Sequence, residues 1–307
     1  MTLQHYRGET MKRRDFLKAA VGTGFYLAAH RMFPQTLEDN YDVGIAIGSD
    51  YEKATMEAIR LVGGIRKYVK PGDIVVVKPN IGFNSPPELK ANTDPLIVQT
   101  VVHLCFQALA SKVYVFDRSV NNPKLTYTTS GIAAAAKSAG AKTLYVNDVS
   151  KKLYPAVTID GAQFLKETKV NRYILESDVL INVPVAKSHS SAGLTIGMKN
   201  LMGISGDARS KWHWELHEAI SDINLGVRSH LTVVDATNIM FKNGPTGGSP
   251  NYLRRHDTVI ASSNVVSADA VSAGLFGKMP GSIGYLVRAQ EKGIGKLAGF
   301  TSQKVSV

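Results

Sequence analysis

The chain has 307 residues, 44% of them hydrophobic and 20% charged, with 27 glycines. That length accommodates one large or two small domains with a sizeable core, and the composition excludes a disordered, collagen-like or coiled-coil protein. The formal charge of +11 favours anionic partners, while the single cysteine, Cys105, excludes an internal disulfide and an iron–sulfur cluster held by the chain's own thiolates.

The first thirty residues read as an address. Arg13-Arg14-Asp15-Phe16-Leu17-Lys18 precedes a run of small and apolar residues from Ala19 to Ala29. A basic pair, then Phe-Leu-Lys, then an apolar stretch too short to span a bilayer is the layout of a twin-arginine export signal. The expectation is export of a folded protein to the periplasm through the twin-arginine machinery, with processing near Ala29 or retention at the membrane. Met11 is an alternative start. A lone Cys105 in an apolar segment suits an oxidising compartment. No dense Lys/Arg stripe with interleaved aromatics is present, so nucleic acid is not expected as a partner.

Residues 31–42 read as a linker, 43–295 as an α/β domain with a candidate lobe boundary near 150–175, and 296–307 as a C-terminal tail. Residues 43–47 form a short apolar strand. Residues 53–69 carry Met56, Ile59, Val62 and Ile65 at helical spacing. The β-branched run 74–78 predicts a strand buried on both faces. A polar loop then runs to Thr93, and Pro95 starts a helix to about residue 110 with Asp94 as its cap. Strands are expected at 113–117, 143–147, 157–159, 178–183, 231–235 and 258–262. Helices are expected at 131–140, 194–202, 212–228 and 265–276, and a Gly/Pro loop at 242–251. Such alternation predicts an α/β fold, a mostly parallel sheet with helices on both faces, arranged in one body or in two lobes around a cleft.

In open parallel sheets, ligands bind beyond the carboxyl ends of the strands. Four predicted strands deliver polar groups there: Lys78 and Asn80, then Asp117, then Lys187 and His189, then Asp235. The segment 187–203 is dense in small residues and adds Lys199 and Asn200, a composition suited to holding a carboxylate or phosphate. His189 and His217 titrate near neutrality and are candidates for proton transfer, with Asp117 or Asp235 orienting a His. Asp117, His189 and Asp235 are also candidate ligands for a divalent cation. His213 and His217 are four apart on a predicted helix and would share a face, but their order is not that of a zinc protease. No Gly-x-Ser-x-Gly elbow and no Gly-x-Gly-x-x-Gly after a strand is present.

The order Val77-Lys78-Pro79-Asn80, Thr93-Asp94-Pro95, Asp117, Asn182-Val183-Pro184-x-x-Lys187-x-His189, Met198-Lys199-Asn200-Leu201-x-Gly203, His217 and Asp269-Ala270-Val271 resembles domain-of-unknown-function family 362. The resemblance runs from about residue 43 to 295. It implies a globular α/β domain, sometimes exported by a twin-arginine signal. Some relatives append a ferredoxin-like cysteine cluster, which this chain departs from.

Two functional readings follow. One is an enzyme acting on a small anionic substrate by proton transfer, as an isomerase or epimerase, or by metal-assisted hydrolysis. Lys78, Asn80, Lys187, Lys199 and Asn200 would bind the anion, and His189, His217, Asp117 and Asp235 would do the chemistry. The other is a non-catalytic protein that binds a ligand or escorts a cofactor or redox partner. Substrate, cofactor and oligomeric state are left open by the sequence.

Overall fold

Alternation of apolar side chains builds the centre of the molecule. Val75 and Val77 pack into one core, and Val76 between them packs into a second. Val113 and Val115 alternate with Phe116 in the same way, as do Val179, Ile181 and Val183 with Leu180. Period-two alternation of residues that are apolar on both sides gives a sheet buried on both faces. The computed structural model describes residues 40–146 and 149–307. The export signal, with Arg13, Arg14, Phe16, Leu17 and Lys18, lies outside the described residues, as does Asn147.

Ten of the strands form one sheet. They are β1 (Val43–Ile47), β2 (Ile74–Pro79), β3 (Lys112–Phe116), β4 (Lys142–Leu144), β7 (Val179–Val183), β8 (Val185–His189), β9 (Gly193–Thr195), β10 (Leu231–Met240), β11 (Leu253–Ser262) and β12 (Ser302–Ser306). The main order is β12-β1-β11-β10-β7-β2-β3-β4, with β8 beside β10 and β9 beside β8. The block β10-β7-β2-β3-β4 is parallel throughout, whereas β11 runs antiparallel to both β1 and β10. The sheet is therefore mostly parallel, as expected. A separate hairpin joins β5 (Ala156–Thr158) to β6 (Glu167–Lys169).

Helices cover both faces. On one side lie α1 (Tyr51–Leu61), α3 (Pro95–Gln107) and α5 (Ile132–Ser138), which share a core with Val75 and Val77. On the other lie α6 (Arg172–Glu176), α7 (Gly197–Asn200), α8 (Leu216–Gly226), α9 (Val265–Gly274) and α10 (Gly284–Glu291), in the core of Val76 and Leu180. Cys105 is fully buried on α3, and burial pushes its thiol pKa up. Asp94 caps α3 by accepting the Leu96 amide at 2.9 Å.

Several expected boundaries move, each for a local reason. The helix expected over 53–69 breaks into α1 and α2 (Ile65–Tyr68), because Gly63 and Gly64 take φ of 98° and 69° between them. The expected strands at 231–235 and 258–262 are longer, because β10 and β11 pair with each other from Thr232↔Ser262 to Met240↔Leu253. The segment after Pro184, for which no strand is expected, is the β8–β9 hairpin. A helix α4 (Pro123–Thr129), capped by Asn122, was missed although Asn-Pro announces it. The expected tail contains β12, which pairs in parallel with β1. The described residues gather into one unit, with no division near 150–175.

Candidate functional site

The carboxyl ends of β2 and β3 deliver Lys78 and Asp117 to one edge, where β8 adds Lys187 and α7 adds Lys199 and Asn200. Lys78 is completely buried. Its ammonium pairs with Asp117 Oδ1 at 2.8 Å and donates to Asn200 Oδ1 at 3.0 Å and to the Pro79 carbonyl at 2.9 Å. Burial lowers the Lys78 pKa, against the opposing pull of Asp117. The other oxygen of Asp117 accepts the Ile81 amide at 2.7 Å. Both halves of this pair are thus used up in holding β2, β3 and α7 together. Gly203 is required here: a Cβ would strike Asp117 Oδ1 and the Lys78 amine.

Asn200 explains why the Met-Lys-Asn run lies where it does. Its amide donates to Asn182 Oδ1 at 2.8 Å and to the Lys78 carbonyl at 3.2 Å, tying α7 to the ends of β7 and β2. From behind, Asp269 on α9 accepts the Gly197 amide at 2.7 Å and the Met198 amide at 3.0 Å. Burial pushes the Asp269 carboxyl up to about 7. Asp269→Ala leaves two buried N–H groups unpaired, so a destabilisation of about 1–3 kcal/mol for each is expected in urea unfolding. Looser anchoring of α7 should accompany it, read as faster amide exchange at 197–200.

Lys187 is also fully buried, yet it meets no carboxylate. It donates to the Ala91 carbonyl at 2.6 Å and reaches Asn80 Oδ1 at 3.5 Å, with Phe83 beneath it at 4.9 Å. Burial, then Lys199 and Lys78, bring its pKa down to about 7, with Asp117 opposing. Lys199 is half-buried and brought down to about 8 by burial and by Arg209. Arg209 is itself lowered, first by burial, and donates to the Ser119 carbonyl at 3.3 Å. Arg118 donates to the carbonyls of Ser205 and Asp207 at 2.9 and 2.7 Å. Five cations therefore share one edge with Asp117 as the carboxylate among them. Neither arginine is among the sequence-predicted anion binders: Arg118 follows Asp117 at the end of β3, a position that could have singled it out, whereas Arg209 opens a 3-10 segment with no recognisable spacing.

His189 sits at the end of β8. Its Nδ1 accepts the amides of Ser191 and Ala192, both at 3.2 Å, so the neutral ring carries its proton on Nε2. Burial, followed by Lys199, His213 and Lys187, pulls its pKa down to about 3. At neutral pH it is an N–H donor rather than an acid–base shuttle. His213 stacks on it, with ring centroids 6.2 Å apart and planes at 21°. The expected shared face of His213 and His217 is absent. Residues 209–215 form a 3-10 segment, and α8 begins at Leu216. His217 instead stacks on Tyr285 at 6.3 Å, with Nδ1 unpartnered and its pKa lowered by burial and then Arg288.

Asp235 does not join the site. It lies mid-strand in β10, fully buried; Oδ2 accepts the Asp94 amide at 2.8 Å, and Oδ1 accepts the Thr237 amide and hydroxyl at 3.1 and 2.7 Å. Lys90 stands 4.0 Å away. Against burial, Asp235 and then Asp94 hold the Lys90 pKa above its usual value. The candidate cation ligands Asp117, His189 and Asp235 are separately committed to Lys78, to backbone amides and to Asp94 with Thr237. Among the described residues, no group of three or more His, Cys, Asp or Glu converges. The donor set at this edge suits an anion and does not fit a divalent cation.

The Thylakoid-associated protein sll1697 of Synechocystis sp. is 25% identical over 251 residues, covering 77% of this chain and 73% of that protein. Among solved structures, the lactate racemase apoprotein of Thermoanaerobacterium thermosaccharolyticum superposes with a TM-score of 0.45 at 10% identity, over 79% of this chain. A protein from Thermotoga maritima superposes at 0.43 and 10% identity, over 75% of this chain. This chain spans 58% of the length of each of those two structures. The profile of the family described as Domain of unknown function (DUF362) matches residues 75–274, a shorter span than the sequence resemblance. That span holds the whole basic cluster from Lys78 to Arg209, and the chain belongs to this family.

Proposed function

We propose that this protein is an enzyme that binds a small carboxylate or phosphate compound at the basic edge of its sheet. The observation that carries the reading is Lys187: a fully buried amine with two carbonyl acceptors, no carboxylate, and a pKa brought down to about 7. A cation left without a counter-ion among further cations gains most from an anion that arrives from outside. Lys187, Lys199 and Arg209 hold the anionic group. The Nε2–H of His189 donates to an oxygen on which charge develops, the role of a neutral imidazole electrophile. Lys78 and Asp117 set the framework.

The test is isothermal titration calorimetry with inorganic phosphate and with simple mono- and dicarboxylates at pH 7. Binding should be weakened roughly 30-fold or more by Lys187→Met, in line with the loss of a buried charge partner. Lys187 is near half-neutral at that pH, so methionine is expected to keep the fold. Affinity for every anion unchanged in this variant would remove the reading.

A second reading is favoured by one observation: the Nδ1 lone pair of His189 is already taken by two amides. A site without a free imidazole base suits capture without turnover. His189→Ala separates the two, since an enzyme loses turnover with affinity largely kept, whereas a binding protein has no turnover to lose. Export through the twin-arginine machinery, proposed from Arg13-Arg14 and the apolar run after them, is tested by fusing residues 1–40 to a reporter and replacing both arginines by lysine.

A further inference from the structure

The cations of the basic edge are not equally occupied. Lys78 has Asp117, Asn200 and the Pro79 carbonyl; Lys187 has the Ala91 carbonyl and Asn80; Arg118 and Arg209 have backbone carbonyls. Lys199 has no ion pair or hydrogen bond from its amine among the described residues. Its backbone is nonetheless fixed on both sides. The backbone before it is fixed by Asp269 at Gly197 and Met198, and the residue after it, Asn200, is clamped to Lys78 and Asn182. The residue is half-buried, whereas Lys78 and Lys187 are fully buried. Lys187, His189 and His213 each have Lys199 as the neighbouring charge that perturbs them most. An unpartnered amine at the hub of a cationic cluster, partly stripped of water, is the setting in which a lysine becomes a nucleophile.

We propose that Lys199 forms an imine with the carbonyl group of an anionic substrate of the 2-oxo acid class. The proposal rests on the anion-binding reading above and extends it. The Nζ lone pair adds to the carbonyl carbon, and the carbonyl π pair moves to oxygen, which takes a proton to give a carbinolamine. The nitrogen then gives up its remaining proton, the carbon–oxygen bond breaks, and the oxygen departs as water. One amine and one carbonyl thus give one imine and one water, with no oxidant or reductant consumed. The substrate carboxylate is met by Lys187 and Arg209, and the developing oxyanion by the Nε2–H of His189. At about 8, the Lys199 pKa leaves a useful share of free amine near neutral pH, whereas an ordinary lysine has almost none.

The experiment is reductive trapping on the full chain. Glyoxylate is added with sodium cyanoborohydride, which delivers hydride to a C=N bond and makes the link permanent, and the adduct is located by peptide mass spectrometry. The expected result is one adduct per chain at Lys199, labelled at least 10-fold faster than exposed Lys124 or Lys304, with a rate that rises through about pH 8. Lys199→Arg keeps the charge and should abolish that adduct, and acetone, which lacks a carboxylate, should label poorly. Adducts spread over exposed lysines, or located on Lys187 alone, overturn the proposal. Calorimetry with glycolate, the hydroxy acid with no carbonyl, separates the two claims. Glycolate binding without glyoxylate trapping overturns the imine and leaves the anion site standing, and failure of both overturns both.

Discussion

Asp117→Ala is expected to cost about 3–5 kcal/mol of folding stability. The reason is the asymmetry of a buried ion pair. Removing the carboxylate leaves the Lys78 ammonium, completely buried, without the partner 2.8 Å away, and also leaves the Ile81 amide without its acceptor. In a domain of this size the loss corresponds to a fall in Tm of roughly 10 °C. Two companion variants make the cause visible in urea unfolding. Asp117→Asn keeps an acceptor for Ile81 but not the charge, and should lose less. Adding Lys78→Met to Asp117→Ala removes the stranded ammonium and should restore part of the stability. A loss below about 1 kcal/mol in Asp117→Ala would mean that the pair is not what holds β2 to β3 at this edge.

Between pH 7 and 9, in the absence of anions, stability is expected to rise with pH, and Lys187→Met should flatten the rise. The Lys187 amine, at about 7 in the folded state against 10.5 in an open chain, has its folded pKa depressed. The unfolded state therefore binds more protons over that range, and stability is lost as pH falls toward the folded value. The slope approaches about 1.4 kcal/mol per pH unit while Lys187 is neutral in the fold and charged in the unfolded chain. Lys199, brought down to about 8, adds to the same trend from pH 8 upward. Asp269 works in the opposite direction, but its contribution is lost between its ordinary 3.8 and about 7, below this window. Tyr68, pushed up to about 12, opposes only above its ordinary value of 10. Thermal melts in amine buffers check the slope. Adding phosphate should raise Tm most at the acidic end, where the anion meets a charged Lys187. A flat profile that phosphate does not change would remove Lys187 as the anion's partner.

Much of the scaffold was legible in the chain itself. The β-branched run at 74–78 could only be a strand buried twice over, and Val75, Val76 and Val77 do divide between two cores. Asp94 before Pro95 announced a helix start, and Asp94 accepts the Leu96 amide there. The choice of strand ends as the place to look was likewise a matter of topology, and Lys78, Asp117 and Lys187 stand together for that reason. In such cases the governing physics is local or periodic, so neighbouring residues carry it.

The errors share the opposite cause. Asp235 looked like one more strand end, but β11 extends the pairing of β10 to Met240 and seals that carboxylate among Asp94, Thr237 and Lys90. Strand length is set by the pairing partner, here the next strand along the chain, and not by the residues of the strand alone. His213 and His217 have helical spacing, yet the chain stays in a 3-10 turn until Leu216, and each ring finds a different aromatic neighbour. The sequence alone determined an α/β sheet, its carboxyl edge and the basic residues that reach it. Only tertiary structure decided which charge has a counter-ion: Lys78 meets Asp117, whereas Lys187 meets carbonyls and Lys199 meets neither. Partnership and burial depend on segments distant in sequence, and they separate the lysines that hold the fold from those left for a ligand.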